Sequence, residues 1–197
     1  MTGGTFWTIA RIAEALDCIG AIPRDDRAIA RIATDTRSVA SGDCFVALIG
    51  DRFDAHDFLA EAVERGATAL VVSRPELTAG LGVPVFAVAD TLVALGALAR
   101  FRRHAWIGTV IGVGGSNGKT TTKELIRAAA SSRYVVHATT GNLNNLVGVP
   151  LTLLSLPDEA EVAVIEMGVN VPGEMARLRG IVEPDFESFP VRAFCPD

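Results

Sequence analysis

The sequence predicts an α/β protein with parallel sheets: a small N-terminal α/β domain over residues 1–89, then a second domain over 90–197 whose sheet stops short at its C-terminus. Three observations point there. Short β-branched runs alternate with helix-periodic runs along most of the 197 residues, the pattern of parallel strands joined by right-handed crossovers. A glycine-rich turn, Gly114-Gly115-Ser116-Asn117-Gly118, separates an apolar run from a helical one. Hydrophobic residues make up 49% of the chain, enough for one or two packed cores and against disorder.

In chain order, Ile9, Ile12, Ala13 and Leu16 recur at helical spacing, so residues 7–17 read as a short amphipathic helix. Residues 29–34 and 44–48 read as strands, with Ser41-Gly42-Asp43 as the turn between them. Residues 55–65 form a helix closed by Gly66, and 69–73 and 83–88 are further β-rich runs. Asp90 is a good N-cap for a helix running to about residue 103, and it opens the second domain. There the expected order is strand 108–113, the glycine loop, helix 120–130, strand 134–138 and a Thr/Asn/Gly loop at 139–145. Helix 148–155, strand 161–166 and helix 173–178 follow.

Glu183-Pro184-Asp185 should lead into another buried strand, yet residues 186–197 carry two prolines and no alternation. Proline removes a ladder donor, so this makes a poor central strand. A chain truncated or frame-shifted near Asp185 is expected.

The glycine turn carries the chemistry. Backbone N–H groups of such a loop converge on an anion, and the following helix N-terminus adds positive potential. Lys119 reaches β- and γ-phosphates, and the Thr120 hydroxyl ligates Mg²⁺. The form is GxxGxxGKTTT, with Val113 at the usual first-glycine position. No NKxD run supports guanine recognition. A nucleoside triphosphate is the expected ligand.

Eighteen Lys and Arg stand against 23 acids, a net charge of −5 with no basic run. A general nucleic-acid footprint is therefore not expected. Cys18, Cys44 and Cys195 form no CxxC pair and read as free thiols. Arg11, Glu14 and Asp17 break any secretory pattern, and Pro84 and Asp90 break the most apolar window. A soluble, cytoplasmic, monomeric protein is expected, with no membrane segment.

Glu166 ends the apolar run Val162-Ala163-Val164-Ile165. Ligands gather at the carboxyl ends of parallel strands, so a carboxylate there, beside the loop, is placed to hold Mg²⁺. Gly141-Asn142-Leu143-Asn144-Asn145 reads equally as a turn and as a set of neutral donors and acceptors for a polar substrate. In the first domain Thr34-Asp35-Thr36-Arg37 and Gly50-Asp51-Arg52-Phe53-Asp54-Ala55-His56 stand at strand ends. Arg37 can fork onto a phosphate; His56 serves either as a helix-start residue or as a ligand. His104 and His137 read as structural, and no Ser-His-Asp or metal-cysteine constellation is present in the sequence.

Together these residues resemble the Mur ligases, the ATP-dependent amide-forming enzymes of peptidoglycan assembly, whose phosphate loop is of this GxxGxxGKTTT type. Residues 139–154, Ile165-Glu166-Met167-Gly168-Val169-Asn170 and Gly173-Glu174-Met175 look like the branch that adds D-alanyl-D-alanine to UDP-N-acetylmuramoyl-tripeptide. The Thr34–Arg37 and Gly50–Phe58 segments fit the same branch, and the likeness runs from the N-terminus to about Asp185.

The resemblance implies that Gly115, Ser116, Asn117, Gly118, Lys119, Thr120 and Thr121 bind ATP. Lys119 and Glu166 would be catalytic, with Thr120 and Glu166 holding Mg²⁺. Thr36, Arg37, Phe53, Asp54 and His56 would lie near the uridine diphosphate end of the substrate. Asn142, Asn144 and Asn145 would line the region between ATP and the peptide. The reaction would activate the tripeptide carboxylate as an acyl phosphate for attack by D-alanyl-D-alanine. The family's central domain continues further, with a His-containing segment and a carbamylated lysine, before a third, Rossmann-like domain. Alternatives are a non-catalytic nucleotide- or UDP-sugar-binding remnant, the sister ligase adding the third peptide residue, and a P-loop kinase, which the first-domain motifs disfavour.

Overall fold

The computed structural model describes residues 6–18, 26–50, 52–169 and 171–189. Asp51, Asn170, Cys195 and the tail from residue 190, all singled out above, lie outside the described residues. Packing divides the chain into two units, Met1–Leu98 and Ala99–Asp197, which part inside the helix expected to open the second domain.

In the first unit, β1 (Trp7–Thr8) leads directly into α1 (Ile9–Ala15). The Thr8 hydroxyl caps this helix by accepting the Arg11 N–H at 3.2 Å. The sequence expectation of one helix over 7–17 therefore fails at its start. Trp7, 4% exposed, pairs instead with Ile29 in a short antiparallel ribbon with β2 (Ala28–Ile29). The single strand expected over 29–34 is likewise two. After β2 the chain transfers its pairing to the segment Gly42–Cys44, Ala30 N–H donating to the Gly42 carbonyl at 2.8 Å and Cys44 N–H to the Arg31 carbonyl at 2.9 Å. It then continues as β3 (Ile32–Ala33). With β4 (Cys44–Val46), β5 (Ala69–Val72) and β6 (Val85–Ala87) it forms a parallel sheet in sequential order. α2 (Leu59–Glu64), preceded by a 3₁₀ turn at Ala55–Phe58, covers part of this sheet with Leu59 and Ala62. α3 (Thr91–Ala105) starts at Asp90, whose carboxylate accepts the N–H groups of Leu92 and Val93.

The second unit contains β7 (Thr109–Val113), α4 (Lys119–Ala130), β8 (Val136–Ala138) and α5 (Gly148–Leu154). β9 (Val162–Glu166), α6 (Glu174–Val182) and β10 (Phe186–Ser188) complete it. All four strands are parallel, in the order β10-β7-β9-β8. From β7 the chain moves toward β8; from β9 it moves the opposite way, to β10. The reversal lies between β7 and β9, where open α/β sheets form a crevice beyond their carboxyl ends.

Strand alternation sorts the side chains. Ala163, Ile165 and Met167 pack with Val149 and Leu153 of α5 and Leu178 and Val182 of α6. Val162 and Val164 face the other way, onto Ile126 of α4. Period two then puts Glu166 on the α4 side, at the mouth of the loop that starts α4. Trp106, also 4% exposed, belongs to the first of these clusters.

Among the described residues β10 pairs only on its β7 side, at the edge of this sheet, in keeping with the expectation that residues 186–197 make a poor central strand. Asp185 anchors it twice on β7, its N–H donating to the Val110 carbonyl at 2.9 Å and its carboxylate accepting the Val110 N–H at 2.7 Å. Arg103 of α3 donates to the same carboxylate at 2.9 Å and to the Glu183 carbonyl at 3.1 Å. Three residues without proline then suffice for parallel pairing, which needs backbone rather than pattern.

His137 ties β8 to α5 by donating from Nε2 to the Thr152 carbonyl at 3.0 Å. Burial lowers its pKa below the usual histidine value, an effect the Thr152 carbonyl partly opposes. The unfolded chain therefore takes up this proton at higher pH than the folded one, and stability falls as pH drops below 6.5. Urea titrations of the His137→Gln chain should show a shallower acid-side loss; an unchanged slope would remove His137 from the acid response.

Candidate functional site

The site is built where β7 and β9 end side by side, with Val113 directly opposite Glu166 in the register. Beyond Val113 the chain turns through Gly114–Gly118 and enters α4. Gly118, at φ +74°, is the N-cap and supplies no side-chain cap. A left-handed residue with no side chain leaves the first amides of α4 unmasked, and these are the orphan donors that attract anions. The Lys119 ammonium lies over this loop, donating to the Gly115 carbonyl at 2.9 Å. Ser116, Asn117, Thr120 and Thr121 are exposed around it.

Glu166 is 2% exposed and joins three segments. Its Oε2 accepts the Thr120 hydroxyl at 3.0 Å, and its Oε1 accepts the Asn144 amide at 2.9 Å. Its own N–H donates to the Thr139 hydroxyl at 2.9 Å. The three asparagines of the loop have three different positions. Asn144 reaches Glu166, and its carbonyl accepts the Gly168 N–H at 2.7 Å. Asn145 is a helix cap, its Oδ1 accepting N–H groups of Val147 and Gly148 at the start of α5. That occupies its side-chain oxygen, in a residue expected to line the region between ATP and the peptide. Asn142 presents an exposed side chain.

Two residues of this site escaped the sequence reading. Lys123, 2% exposed, donates to the Thr139 carbonyl at 2.8 Å, with its Nζ 3.2 Å from Glu124 and 3.9 Å from Glu166 Oε2. Thr139 holds both Glu166 and Lys123 from β8's end. Lys123 stands three residues after Thr120 and three before the core-facing Ile126, so helical spacing carries the signal.

Thr120 Oγ1 and Glu166 Oε2 are two hard oxygens 3.0 Å apart. No cluster of three or more His, Cys, Asp or Glu suited to a metal occurs among the described residues. Mg²⁺ is commonly held by one or two protein oxygens together with phosphates, and this donor set fits it.

In the first unit, by itself, Thr36 is buried in a 3₁₀ turn capped by Asp35. The exposed Arg37 guanidinium already forks onto Asp35, 2.6 Å at its closest. Phe53 is 75% exposed, a free aromatic face beside β4's end. His56 is buried, and both ring nitrogens are engaged: Nδ1 with Asp54 at 2.6 Å, Nε2 accepting the Ser73 N–H at 3.0 Å. Burial works to raise the Asp54 pKa, but the His56 N–H and ring and the Arg74 guanidinium outweigh it, and the net shift is downward. His56 thus braces the turn against β5 and has no ring nitrogen left for the substrate contact expected of it.

No helix among the described residues is long and apolar enough to cross a membrane. Two family models match the chain: the Mur ligase family catalytic domain over residues 28–103 and the Mur ligase middle domain over 113–189. The chain is 41% identical over 179 residues to a UDP-N-acetylmuramoyl-tripeptide–D-alanyl-D-alanine ligase of Bacillus subtilis, covering 90% of this chain and 39% of the relative. A MurF crystal structure from Acinetobacter baumannii superposes with a TM-score of 0.82 at 41% identity, over 90% of this chain and 39% of that one. MurF from Thermotoga maritima in complex with ADP matches with a TM-score of 0.72 at 39% identity, over 79% of this chain and 36% of that one. The chain spans about two fifths of the length of these relatives.

Proposed function

We propose, from the premise that this chain belongs to the Mur ligase family, that it carries the UDP-muropeptide and ATP sites of a ligase joining D-alanyl-D-alanine to UDP-N-acetylmuramoyl-tripeptide. The observation that carries this reading is Glu166, with Thr120 of the phosphate loop on one oxygen and Asn144 on the other.

The first amides of α4 bind the phosphate tail of ATP, and Lys119 swings from the Gly115 carbonyl to the β- and γ-phosphates. Glu166 and Thr120 would hold Mg²⁺, which would supply charge neutralisation at the phosphate oxygens. The peptide carboxylate attacks the γ-phosphorus; the bond to the bridging oxygen breaks, leaving ADP and an acyl phosphate. The dipeptide amine then attacks the acyl carbon, expels inorganic phosphate and loses a proton. Little covalent work falls to the protein, whose contribution is alignment and charge stabilisation. Asn144, locked between Glu166 and Gly168, orients the groups between nucleotide and peptide. Arg37 and Phe53 offer charge and an aromatic face to the uridine diphosphate.

Calorimetry should detect Mg·ATP binding to this chain. Phosphate release should require both UDP-N-acetylmuramoyl-tripeptide and D-alanyl-D-alanine. Absence of nucleotide binding would sink the reading. Binding of nucleotide and UDP-substrate without turnover would favour a second reading, a binding piece that forms no bond, to which the two-fifths span gives weight.

A further inference from the structure

We infer that Lys123 makes divalent-cation binding conditional on nucleotide: its ammonium is the standing counter-charge of Glu166, so a divalent cation is retained only together with a triphosphate. The inference rests on the proposed nucleotide-and-metal reading of the crevice and assigns a positioning residue to it.

The argument starts from burial. A lysine only 2% exposed is unusual, and a buried ammonium is tolerated only when paired and hydrogen-bonded. Lys123 has one carbonyl, Thr139 at 2.8 Å, and two carboxylates, Glu124 at 3.2 Å and Glu166 at 3.9 Å. Glu124 is half exposed and shared with Arg127 at 2.7 Å. Glu166 is shared with no other cation among the described residues; Thr120 and Asn144 are neutral donors.

The oxygen nearest Lys123 is Oε2, the same atom that accepts Thr120 and would meet a metal. A divalent ion arriving alone therefore finds a carboxylate already neutralised and a like charge close by, in surroundings where such repulsion is poorly screened. A triphosphate brings enough negative charge to reverse this balance. The Thr139 carbonyl keeps the ammonium in place meanwhile, so the compensation is built in rather than borrowed from solvent.

Free Mn²⁺ measured by electron paramagnetic resonance, with and without a non-hydrolysable ATP analogue, tests this on the whole chain. Wild type should bind Mn²⁺ weakly alone and well with the analogue. Lys123→Gln removes the charge but keeps a donor for Thr139, and should tighten nucleotide-free Mn²⁺ binding by about tenfold or more. Lys123→Arg keeps the charge and should stay weak, which a merely structural lysine would not require. Unchanged nucleotide-free affinity in a folded Lys123→Gln chain overturns the inference. Should that variant not fold, equal Mn²⁺ binding by wild type with and without analogue overturns it. Mn²⁺ that fails to bind even with the analogue overturns the metal reading itself, and this inference with it.

Discussion

Lys119→Ala lowers the affinity of the chain for Mg·ATP by about 10- to 150-fold, the loss expected from one charge-assisted phosphate contact of about 1.5–3 kcal/mol. The fold survives the change. Lys119 opens α4, where alanine is the best helix former, and the side chain's bond is to the Gly115 carbonyl at its own loop. Under the proposed function, turnover of a chain extended to its relatives' full length should fall further, by roughly 10²–10³, the same charge then stabilising the transferring phosphoryl group. Calorimetry reads the first effect and phosphate release the second, with circular dichroism as the control for folding. Undiminished affinity would take the lysine out of the phosphate site.

Gly148→Ala destabilises the second unit. Gly148 begins α5, and propensity alone would favour alanine by about 1 kcal/mol. Space decides otherwise: a methyl group there would stand 2.4 Å from Leu143 Cα and 2.5 Å from its carbonyl carbon. Both are backbone atoms that cannot rotate away, and overpacking of this kind costs about 1–3 kcal/mol or more. The strain falls on the loop that carries Asn144 to Glu166, so Mg·ATP affinity should drop together with the melting temperature. Gly180→Ala in α6 is the control, since a methyl there meets nothing within 4 Å, and a gain of up to about 1 kcal/mol is expected. Equal responses of the two variants would disprove the steric argument.

The parallel α/β plan, the phosphate loop and Glu166 were legible because each rests on local pattern. Alternation along Val162–Glu166 assigns the carboxylate its face, and the glycines mark where backbone must replace side chain. Helical spacing sets Lys123 on the face shared by Thr120 and Ile126, but its pairing with Glu166 was not legible, because it depends on where Thr139 falls after β8, a fact of sheet order. Asn145 and Asn144 are neighbours of identical chemistry, yet one caps α5 and the other meets Glu166. His56 gave an open choice between ligand and brace that only the Ser73 N–H resolves. β10 escaped because its pairing is secured by Asp185 and Arg103 rather than by its own side chains.

The chain has two tryptophans, Trp7 in the first unit and Trp106 in the second, each 4% exposed. The Trp106 indole N–H has no hydrogen-bond partner among the described residues, and its ring packs in the cluster with Val149, Leu153 and Leu178. Each half of the polypeptide thus comes with its own intrinsic fluorophore. Silencing one by Trp→Phe exchange turns emission wavelength into a separate optical record of how the other half melts.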